Sequence, residues 1–62
     1  MTAFFFIRFL VPGEAPRGSQ TFRLRDAATR YARRARLERP TWGYQIIRHA
    51  ADGQTVVEET DE

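Results

Sequence analysis

Enzymatic chemistry needs converging titratable groups, above all a nucleophile with a base within hydrogen-bond reach. The chain holds one serine, Ser19, one histidine, His49, and no cysteine. Ser19 falls in a stretch of turn formers and His49 at the end of an apolar run, with no third partner in evidence. Asp26 and Asp52, the nearest acids in pattern, read as a helix cap and a turn residue. No catalytic residue is therefore assigned, and the chain reads as a non-enzyme. A lone histidine without paired carboxylates has no metal-ligand spacing. The glycines do not form a phosphate-cradling motif. No metal and no cofactor are expected.

Cations are the chemistry that remains. All 10 basic residues are arginine, a bias that a GC-rich coding sequence alone would produce. The net charge of +2 conceals an uneven distribution, because four of the 8 acids (Glu58, Glu59, Asp61, Glu62) close the chain. Ten arginines against four acids before Glu58 leave a body of +6. Such a body suits a polyanion or an acidic protein surface. Arg30, Arg33 and Arg34 gather on one side of an expected helix. They read either as a solvated face favoured by the helix dipole or as an anion-binding ridge. Like charges four apart, as Arg30 and Arg34 are, repel by a few tenths of a kcal/mol. Asp26 is placed to offset this through Arg30, and Glu38 through Arg34.

The element that must position these groups is Phe4-Phe5-Phe6-Ile7-Arg8-Phe9-Leu10-Val11. A strand sends alternate side chains to opposite faces. Phe5, Ile7, Phe9 and Val11 make one apolar face. Phe4, Phe6, Arg8 and Leu10 make the other, broken by a single cation. A strand apolar on both sides belongs in the middle of a sheet with something over each face. At 62 residues, 42% hydrophobic, the chain is one ordered domain with a thin stability margin. Its apolar stretch is too short to span a bilayer, and no basic region precedes it. The expectation is a cytoplasmic protein with no membrane partner.

In chain order, Pro12-Gly13 stops the first strand, and Gln20 to Leu24 resumes alternation as a short second strand, antiparallel to it. Asp26 caps a helix over Ala27 to Glu38, ended by Pro40. Its buried stripe is Leu24, Ala28, Tyr31, Ala32 and Ala35; Leu37 falls among the arginines, where a core does not want it. Thr41 to His49 is a third strand, Asp52-Gly53 a hairpin turn, and Gln54 to Glu58 the returning strand. The order β-β-α-β-β predicts an α+β fold, a four-stranded antiparallel sheet with one helix on one face. The domain covers 1–57, followed by an acidic tail, 58–62.

Phe5, Ile7, Phe9, Phe22, Leu24, Trp42, Tyr44, Ile46 and Val56 are assigned to the helix side. Phe4, Phe6, Arg8, Leu10, Arg23, Ile47, His49 and Val57 are left on the open face, although a slip of one residue in the last hairpin would exchange part of this set. Aromatic and arginine side chains interleaved on a sheet can stack bases or grip phosphates. Two copies could equally bury the face in a symmetric homodimer through Phe4, Phe6, Leu10, Ile47 and Val57.

Residues Phe5 to Arg36 carry Phe6-Ile7-Arg8-Phe9, a Pro-Gly turn, then Thr21-Phe22-Arg23 running into Asp26-Ala27-Ala28 and Tyr31-Ala32. This stretch resembles the arm-type, AP2-like N-terminal domains of tyrosine integrases, which present a three-stranded sheet to the DNA major groove. The resemblance implies DNA contacts by Arg8, Arg23 and Arg25. It covers about half the chain, and the sequence departs from the family by lacking one early strand and adding a hairpin after the helix. In size and strand order the chain is also similar to very small phage proteins, some anti-CRISPR inhibitors among them, which act by binding a host effector. Together these lead to a small phage or mobile-element accessory that binds DNA or a nucleoprotein through arginine. The alternatives are a protein-directed inhibitor and a structural homodimer.

Overall fold

The computed structural model describes residues 3–60. It holds β1 (Phe4–Leu10), β2 (Arg17–Gly18), α1 (Arg25–Glu38), β3 (Gly43–Ala50) and β4 (Gly53–Glu59). One antiparallel sheet runs β2-β1-β3-β4, so the strand apolar on both faces sits inside it, as its composition demands. β1 pairs along its whole length with β3, from Phe4 opposite His49 to Leu10 opposite Gly43. The fold is the expected α+β arrangement. No helix among the described residues is long and apolar enough to cross a membrane.

α1 lies over β1 and β3. Ala28 and Ala32 are fully buried and share one cluster with Ile7, Phe9, Val11, Tyr44 and Ile46. Alanine lets the helix backbone approach the sheet closely while adding almost no side-chain entropy cost. Phe5, Phe22, Trp42 and Ala35 pack around the margin. Tyr31 is 47% exposed, yet its ring lies 5.4 Å from that of Phe22 and 6.5 Å from that of Phe9.

Four local expectations are corrected. The second strand is Arg17–Gly18 rather than Gln20 to Leu24, which touches β1 only where Phe22 pairs with Phe5. Four steps from Gly18 to Phe22 face three from Arg8 to Phe5, so the chain bulges. Ser19 fills that bulge: its backbone N–H donates to Ile7 O at 2.9 Å, and its Oγ accepts from Ile7 N at 2.9 Å. The helix starts two residues early, with an extended Leu24 at the cap and no side-chain cap bond; Asp26 stands in the first turn, where its charge still favours the dipole. Leu24 is therefore 68% exposed and does not join the core.

The fourth correction concerns β4. Its register with β3 shifts between Ile46, opposite Glu58, and Ile47, opposite Val56. A bulge places two residues against one and turns consecutive side chains toward the same side. Val57 packs against the core and the neighbouring Glu58 reaches Tyr44, while Val56 is 45% exposed. The two valines thus exchange the faces expected for them. The strand also runs to Glu59, and Thr60 N donates to Tyr44 O at 3.1 Å, so Glu58 and Glu59, expected in the tail, belong to the sheet. Asp61 and Glu62 lie outside the described residues. Gly43 makes room for this ending, since a Cβ there would stand 2.8 Å from Thr60 Oγ1.

Candidate functional site

Two surfaces collect the residues singled out by sequence. The first is the solvent side of α1. Arg25, Arg30, Arg33, Arg34 and Arg36 face only Asp26 and Glu38 within the helix. All five are exposed, because Ala28, Ala32 and Ala35 turn the opposite side to the sheet. The offsets expected from Asp26 and Glu38 do not form; Glu38 lies 3.8 Å from Arg39 instead. Among the described residues no carboxylate comes within 4.0 Å of Arg23, Arg30, Arg33, Arg34 or Arg36.

Arg25 is different. Its Nη2 donates to Val57 O at 2.8 Å and lies 3.8 Å from Glu58 Oε1. It ties the start of α1 to the bulge of β4, which makes it a strut first and a free cation second. Tyr44 completes this corner by donating its hydroxyl to Glu58 Oε2 at 3.0 Å. Burial raises the Tyr44 pKa, and the Glu58 carboxylate raises it further; Arg33, close to the phenol, pulls the other way.

The second surface is the sheet face away from α1. Phe4 is 36% exposed there, and Phe6, Arg8 and Leu10 are half-buried. Ile47 shares the face but is fully enclosed between its cross-strand neighbours Phe6 and Val56. Arg8 Nη1 donates to Gln45 Oε1 over a long 3.4 Å, and Gln45 Nε2 donates to Glu59 Oε2 at 3.1 Å. His49 stacks on Phe4 with centroids 4.8 Å apart, and its Nδ1 is 3.1 Å from Gln54 Nε2. Arg23 lies at the edge of the face with Thr21 beside Phe4. Val57 is absent from this surface for the reason given above.

The interface residues Phe4, Phe6, Leu10 and Ile47 thus share one face. The arginines proposed for nucleic acid divide between surfaces: Arg8 and Arg23 belong to the sheet, and Arg25, Arg30, Arg33 and Arg34 to the helix. Arg36, which the sequence places beside the arginine cluster but outside the binding set, stands in the same exposed row, and Trp42 is expected from sequence only as a core residue. That ring has Arg39 at 4.8 Å and Arg17 at 5.6 Å from its centroid, a cation–π arrangement that ties β2 to the end of the helix. Arg39 is a near neighbour in sequence, but Arg17 comes from a distant part of the chain, which spacing could not reveal. Comparison of the chain with protein-family models, curated proteins and solved structures returns no match.

Proposed function

We propose that this is a small non-catalytic binding protein that engages DNA, or the nucleic acid of a nucleoprotein, chiefly through the arginines of α1. One observation carries the reading: Arg30, Arg33, Arg34 and Arg36 are exposed on a rigid helix without an acidic partner among the described residues. Like charges at three- and four-residue spacing cost the helix a few tenths of a kcal/mol per pair. A polyanion relieves that repulsion, and binding it releases condensed counterions. The helix outranks the sheet for this role because Arg8 is already turned to Gln45 and shares its neighbourhood with Glu59. The reading is tested by the salt dependence of binding to random duplex DNA, whose log–log slope is about −0.9 per phosphate neutralised. Replacing Arg30, Arg33 and Arg34 with Gln should remove most of that slope, while Arg8→Gln with Arg23→Gln should remove less. An unchanged slope in the helix variant rejects the assignment.

A second reading is supported by the exposed Phe4 beside half-buried Phe6 and Leu10. This face would cover a host effector protein, or a second copy of the chain. Phe6→Ser is the discriminating change. Loss of function or of dimer mass with the fold retained favours this reading, and no effect on either removes it.

A further inference from the structure

Arg33, Arg36 and Leu37 of α1, Pro40 just beyond it and Tyr44 of β3 line an open depression of about 610 Å3. We infer that this depression, lined by apolar groups and two arginines, is a docking site for an acidic protein segment that inserts one bulky apolar side chain between carboxylates. Leu37 is 82% exposed, the most exposed large apolar side chain among the described residues. Nine residues on from Ala28, it stands about half a turn around the helix from the buried stripe. The crest of α1 is therefore aliphatic, with Arg33 and Arg36 on the side toward Tyr44 and Arg30 and Arg34 on the other.

Charge complementarity chooses the occupant. Arg33 and Arg36 have no carboxylate within 4.0 Å among the described residues, so an incoming acid displaces no existing ion pair. Glu58, the acid beyond Tyr44, is turned to the Tyr44 hydroxyl and to Arg25 and has its charge answered within the fold. A nucleic-acid backbone would use the guanidinium groups but has no apolar group to set against Leu37, Pro40 and the Tyr44 ring. The volume falls within the range of about 300–1,000 Å3 usual for ligand pockets. Tyrosine and arginine, both present in this lining, are enriched among the energetic hot spots of protein interfaces. This site does not depend on the nucleic-acid reading and stands if that reading fails.

The experiment is selection of short random peptides displayed on phage against the immobilised protein, followed by fluorescence anisotropy of the enriched sequence as a labelled peptide. Enriched peptides should share a bulky apolar residue flanked by Asp or Glu. Leu37→Ser should weaken the labelled peptide about tenfold, the order expected for unburying one aliphatic side chain. Arg33→Gln with Arg36→Gln should weaken it and flatten its salt dependence, whereas Arg30→Gln with Arg34→Gln should not. These side chains are exposed, so thermal melts of the variants should match the parent. Enrichment without acidic residues overturns the proposal, as does equal binding by the Leu37→Ser protein. So does a Leu37→Ser protein that loses duplex DNA while keeping the peptide, since the crest then belongs to nucleic acid.

Discussion

Ile46 and Ile47 are neighbours in β3, both fully buried, on opposite faces of the sheet. Ile46 is enclosed by a helix, in one cluster with Ala28 and Ala32. Ile47 has no secondary-structure element above it and is closed over by side chains of the sheet itself, Phe6 from β1 and Val56 from β4. The difference teaches that one short alanine-lined helix need not cover both sides for the middle of the sheet to be dry. What the second face leaves in water is its margin, where Phe4 is 36% and Val56 45% exposed.

Ile46→Ala should have the largest effect. A cavity beneath a helix that cannot move closer costs about 2–5 kcal/mol, comparable with the whole stability of a domain this small. Circular dichroism should show an unfolded or barely folded chain. Ile47→Ala should sit at the lower end of that range, because Phe6 and Val56 can shift into the space. An equal loss, measured by urea denaturation, would mean that something packs over Ile47 as tightly as α1 packs over Ile46. A loss that grows with protein concentration would identify that cover as a second copy.

The smallest effect belongs to the corner joining the helix to β4. Tyr44→Phe removes the bond to Glu58 and should cost about 1 kcal/mol at neutral pH. Burial, then Glu58, raise the phenol pKa above its ordinary value of 10.0 in the folded state. The protonated phenol is thus the form the fold favours. Its contribution is fully present below the unfolded value and is lost as pH rises through the folded one. Denaturation curves should weaken above about pH 10, and that decline should be shallower in the Tyr44→Phe protein. Equal slopes would show that the corner is not closed in solution.

Much of this architecture is legible in the chain. Apolar residues on both faces of β1, the alanines at helical spacing and the turn at Asp52-Gly53 are local signals, and each marks its element. Even there the detail moves by one residue: the loop is Ala51-Asp52, and Gly53, at a φ of 119° that other residues avoid, already pairs with Ala50. What escaped depends on contacts between distant residues. Val56 and Val57 are equally apolar, so only the bulge opposite Ile46 and Ile47 decides which faces the helix. Arg17–Gly18 has no strand signature of its own and pairs because β1 offers a free edge. Ser19 is a plain loop residue until its hydroxyl meets the Ile7 amide. Of the candidate site, the arginine row on α1 was visible from spacing. The engagement of Arg25 with Val57 O was not, since 32 residues separate them.

The two central strands, β1 and β3, come from opposite halves of the chain, and their pairing joins Phe4 to His49 and Leu10 to Gly43. Neither end of the molecule therefore owns a nucleus that could form by itself. The long intervening segment must be brought around before the middle of the sheet is satisfied, which raises the contact order and slows folding relative to a helical bundle of equal length. Cutting the chain within the helix would yield two fragments, each a lone hairpin of the kind that is marginal in water. Mixing those fragments should restore structure that neither possesses alone.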